Sequence, residues 1–79
     1  MADPQPELGS LSVDDVVLAA ASTLASVAYA RLEASDLPEA KRAIDALSSL
    51  LPHVEGDLGG ELRRVLTSLQ VAFAGAASP

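Results

Sequence analysis

Hydrophobic residues recur along this chain at spacings of three and four, in three segments separated by helix-breaking punctuation. The second segment is the clearest. With successive residues set roughly 100° apart, Leu37, Ala40, Ala43, Ile44, Leu47, Leu50 and Leu51 occupy less than half of the circumference, and Lys41, Arg42, Asp45, Ser48 and Ser49 lie opposite. The third segment repeats the pattern: Leu58, Leu62, Val65, Leu66, Leu69, Ala72 and Phe73 form one stripe, and Arg63, Arg64, Thr67 and Gln70 the other. Both read as surface helices with a single buried face. The first segment differs. Val13, Val16, Val17, Leu24 and Val27 form one face, and Leu18, Tyr29 and Leu32 form a second roughly 120° away. Only a narrow strip through Asp15, Ser22, Ser26 and Glu33 is polar. A helix apolar over most of its circumference needs cover over most of it, and two sibling helices shield one side. The second face is therefore expected to meet another chain through Leu18, Ala21, Ala25, Tyr29 and Leu32, with Ala19, Ala20 and Ala28 allowing close backbone approach.

Start and stop signals bound these segments. Ser12 can cap the first helix, with Asp14 and Asp15 at the positive end of its dipole. In Asp36-Leu37-Pro38-Glu39 the aspartate caps, the proline loses no needed N–H, and Glu39 can reach back to the cap. Pro52 either stops the second helix near Leu51 or kinks it, and a kinked continuation to Glu55 is favoured, with Gly56 as a left-handed C-cap. No stretch alternates as a strand would. The class is all-α: a three-helix bundle with helices at about 12–34, 37–55 and 58–74 in a single domain, 12–74. Pro4, Pro6 and Gly9 mark residues 1–11 as a mobile arm, and 75–79 is expected to be a mobile tail.

Size strengthens the expectation of a partner. A chain of 79 residues rarely draws more than roughly 3–5 kcal/mol from one core, and here 15 residues are alanine and Tyr29 and Phe73 are the sole aromatics. With no cysteine, neither a disulfide nor a thiolate metal site can help. A homo-oligomer, most simply a homodimer, is expected; the alternative is an adaptor subunit that holds a helix of another protein in an apolar groove.

Charge narrows the partners further. A formal net charge of −6 repels phosphate backbones, and the cations form only two dibasic steps, Lys41-Arg42 and Arg63-Arg64, each within a helical turn of an acid. Nucleic acid and anionic membrane are not expected. The uncharged run from Val16 to Ala30 ends in Ala28-Tyr29-Ala30 and superficially copies a secretory signal, but acids and no cations precede it. At about 1.5 Å per residue the run also falls short of a hydrocarbon core roughly 30 Å thick. A cytoplasmic, soluble protein is expected.

No constellation specifies a reaction. His53 is the only histidine, and a solvated or capping role near a helix end accounts for it. Asp14-Asp15 and Glu33 with Asp36 are the only carboxylate pairs of note, and capping explains three of these four, so no metal or cofactor is expected. Gly59-Gly60 precedes a helix as phosphate loops do, without their strand or lysine, and reads as an interhelical turn. Arg31 lies on the Val13 face in the last turn, where a cation suits the helix C-terminus. The expectation is a non-enzymatic interaction module.

The pattern Asp36-Leu37-x-x-Ala40-x-x-x-Ile44-Asp45-x-Leu47-x-x-Leu50, then Gly56-x-Leu58 and a third helix ending near Phe73, resembles a bacterial domain-of-unknown-function family of short, often acidic three-helix proteins. The likeness covers about residues 14–74, and Ser22-Thr23-Leu24-Ala25-Ser26 is similar to that family's serine-containing first helix. The connection Leu32-Glu33-Ala34-Ser35-Asp36 is shorter than is typical there. The resemblance implies a helical bundle and carries no catalytic residues over. Asp36-Leu37-Pro38-Glu39-Ala40 is also similar to the second helix of a tetratricopeptide repeat, but one helix pair does not make the array of three or so repeats that such a core requires.

Overall fold

Local chemistry sets the helix boundaries in the computed structural model, which describes residues 8–54 and 56–78. Ser12, in extended backbone, accepts the Asp15 amide on its hydroxyl at 3.4 Å and opens α1, Val13–Glu33. The chain then reverses through a Schellman turn. Ser35 takes a φ of +59°, its amide donates to the Leu32 carbonyl at 3.0 Å, and the Asp36 amide donates to the Arg31 carbonyl at 2.9 Å. Asp36 next caps α2, Leu37–Leu50, by accepting the Glu39 amide at 3.4 Å. Glu39 does not return the bond. Its carboxylate accepts from Arg42 at 3.0 Å instead.

The kinked continuation of the second helix does not form. The α-helix ends at Leu50, tightens into a 3-10 turn over Leu51–His53 and gives way to extended Val54. Pro52 has no N–H to return to the preceding turn and its ring crowds that turn, so the helix is abandoned there. Residue 55, the expected end, lies outside the described residues. Gly56, at φ +81°, caps the start of α3, Asp57–Ala77, and so serves the next helix instead of closing the last one. The third helix also runs three residues past its expected end at 74 and takes most of the expected tail. Ala72, Ala74, Ala76 and Ala77 favour helix enough to carry Gly75 within it. Of the expected arm, Leu8–Ser10 forms a 3-10 turn, and residues 1–7 lie outside the described residues.

These boundaries give the expected all-α architecture of three helices: α1 and α2 pack along one another as a hairpin, and α3 lies against both. The core takes Ala21, Ala25 and Ala28 from α1, Ala40, Ala43, Ile44 and Leu47 from α2, Leu51 and Val54 from the link, and Leu62 and Leu69 from α3. Among the described residues, Leu47 and Leu69 are the only large side chains buried completely. On α3, Leu58 and Ala72 leave the expected stripe for solvent. Gly59 is the cause at the first turn. It sits so close to the link that an added Cβ would lie 2.8 Å from the Val54 carbonyl oxygen, and turning Gly59 inward turns Leu58 out.

Candidate interaction surface

The first helix packs on its siblings through small residues. Its three buried positions are all alanine, flanked by half-buried Val17, Leu18, Leu24 and Leu32. Alanine on α1 meets a core to which Ala43 of α2 also contributes, so neighbouring backbones can approach closely while the flanking leucines close over the seam. Most of the association face expected from the sequence is therefore spent inside one chain. Ala21 and Ala25 are core residues, Leu18 and Leu32 pack against that core, and Tyr29 alone of the five stays exposed.

The structure leaves a different face of α1 uncovered. Val13 is 72% exposed, Val16 51% and Val27 41%, and Thr23 and Ala30 beside them are exposed too. These residues lie roughly 130° around the helix from the buried alanines, whereas Tyr29 sits at the far edge of the core face and does not join them. Side-chain size misassigns the two faces, because valines look like the better core. Continuity assigns them correctly. Positions 18, 21, 25, 28 and 32 alternate spacings of three and four with no polar interruption, whereas the valine face is broken by Thr23 and ends at Arg31.

Arg31 acts within the chain. Its guanidinium reaches the Asp36 carboxylate at 3.3 Å across the Schellman turn, while the other Asp36 oxygen accepts the α2 amide. The Arg31–Asp36 pair stands where many such turns place an apolar contact. At half exposure for Arg31 it contributes little energy, and its role is to hold the helix exit in register.

Other candidate groups do not converge. His53 is exposed, and among the described residues no three His, Cys, Asp or Glu lie close enough together to hold a metal ion. A depression open to solvent lies at the start of α3, lined by Gly56, Asp57, Gly60, Glu61, Arg63 and Arg64. Asp57 and Glu61 balance Arg63 and Arg64 there, so the lining carries no net charge to draw an anion, and close packing on Val54 already explains Gly59. The described side chains contain no buried polar or charged residue.

As folded, α1 is longer than its uncharged run. By length and composition its 21 residues suffice to cross a membrane, and 17% of its most apolar stretch is buried within the chain. No family model, curated protein or solved structure matches this chain.

Proposed function

We propose that this chain is a non-enzymatic helical module that associates with a second copy of itself through the exposed valine face of α1, in the cytoplasm. One observation carries the reading: Val13, Val16 and Val27 stand in water on one face of a helix whose opposite face completes a core with, among the described residues, only two fully buried large side chains. Covering those valines removes apolar surface from water at roughly 25 cal/mol per Å², a gain that a thinly filled core of this size needs. The acidic balance of the chain and the position of Asp14 and Asp15 at the start of α1 speak for a protein partner over an anionic lipid surface.

Light scattering after gel filtration over a wide concentration range tests the proposal. A mass that rises to twice 8.0 kDa with concentration supports it, and a constant monomer mass at full helicity overturns it. The length of α1 favours one further comparison, since a membrane-spanning helix would pass the same apolar test. Packing of Ala21, Ala25 and Ala28 against α2 and α3 supports a core helix. Recovery of the expressed protein in the membrane pellet, resistant to carbonate washing, would count against the cytoplasmic reading.

A further inference from the structure

The exposed face of α1 has a register. Val13, Ala20 and Val27 stand seven residues apart, and so do Val16, Thr23 and Ala30, offset by three. Together they form the alternating three-and-four pattern of a helix-pair seam. Leu18, Ala25 and Leu32 occupy the opposite position of the same repeat and pack into the chain's own core, so the seam faces away from α2 and α3. Five of the six seam residues are exposed and Ala20 is half-buried.

Resting on the self-association proposed above, we infer that two copies of α1 pair antiparallel along this seam. Val13 then lies beside the partner's Ala30, Val16 beside the partner's Val27, and Ala20 beside the partner's Thr23. Two properties of the helix select this orientation. The first is electrostatic: α1 gathers Asp14 and Asp15 in its first turn, while in its last turn Arg31 stands with Glu33 and bonds Asp36. Parallel pairing would align the two helix dipoles and bring both acidic first turns to one end, whereas antiparallel pairing opposes the dipoles and sets those turns apart. The second is volume. In parallel register Ala20 faces Ala20 and Ala30 faces Ala30, which leaves thin layers between valine layers, while the antiparallel register sets every alanine against a valine or threonine. The resulting interface is related by a two-fold axis and closes at two copies.

The absence of native cysteine allows a clean test. Val16→Cys and Val27→Cys are made separately at exposed positions, with Ser48→Cys on the outer face of α2 reporting random collision, and helicity is checked for each. The chains are oxidised alone and as an equimolar mixture, and light scattering is run on the reduced proteins. Antiparallel pairing predicts on the order of tenfold more covalent dimer in the V16C and V27C mixture than in either variant alone, because only the mixture brings the two thiols together. Cross-linking of each variant with itself above the S48C background overturns the orientation and gives a parallel pair. A dimer mass with no cross-link above background overturns the seam while leaving self-association standing. A monomer mass at every concentration removes both.

Discussion

Helix α2 hides its largest apolar side chains and shows its charges, whereas α1 hides alanines and shows valines. Ile44 and Leu47 are buried on the first of these, Val13 and Val16 exposed on the second. Apolar size therefore predicts burial only where the geometry has room for it. The gap between α1 and its siblings is filled at the buried α1 positions by alanine, the smallest side chain that still removes apolar surface from water. The larger residues of α1 are left to flank the gap or to face outward.

The largest expected effect that tests this contrast comes from Leu47. Leu47→Ala leaves a cavity at a fully buried position and should lower the free energy of unfolding by about 2–5 kcal/mol, measured by urea denaturation followed by helix circular dichroism. Next comes overfilling of the alanine side. Ala28→Leu, at a residue with no exposed surface, should cost about 1–3 kcal/mol in the same measurement, and an unchanged midpoint would mean that the α1 contact is looser than described. A matched pair at the start of α3 sharpens the point. Gly59→Ala meets the Val54 carbonyl at 2.8 Å and should destabilise by about 1–3 kcal/mol. Gly60→Ala points into open space within the same helical turn and should stabilise by roughly 0.5–1 kcal/mol. Ser35→Gly should raise stability by about 1 kcal/mol, because it relieves a left-handed residue of its Cβ. The smallest effect belongs to the valines. Val16→Ser should change the stability of dilute, monomeric protein by less than ~0.5 kcal/mol while weakening self-association in sedimentation equilibrium. A large loss in the dilute limit would place Val16 in the intrachain core.

Much of this architecture is legible in the sequence because the relevant signals are local. Ser12 and Asp36 mark their helix starts by side-chain chemistry that acts within three residues, and both caps form where expected. The α2 stripe is legible because strong apolar and strong polar residues divide one circumference between them. The end of α2 is less so. Pro52 is readable as a disturbance, but whether the helix resumes depends on Val54 being buried and on the Gly59 approach, both of which are tertiary. The left-handed Ser35 is likewise hidden, since serine carries no such preference and the Schellman bonds that hold it there join residues already placed by α1 and α2. The apolar excess of α1 is visible in its composition, but which side of it stays in water is not. Alanine has no size with which to announce a core, and only the uninterrupted spacing that Ala21, Ala25 and Ala28 share with Leu18 and Leu32 points inward.

The Schellman turn between α1 and α2 also sets an order of events for the chain. Its backbone bonds span five residues or fewer and join two helices that contact each other more extensively than either contacts α3. Loops this short close fast, within roughly a microsecond, so the α1–α2 hairpin can nucleate by itself and offer a preformed groove to a late-arriving third helix. Mutations at the hairpin should then slow refolding, and mutations on α3 such as at Leu69 should mainly hasten unfolding.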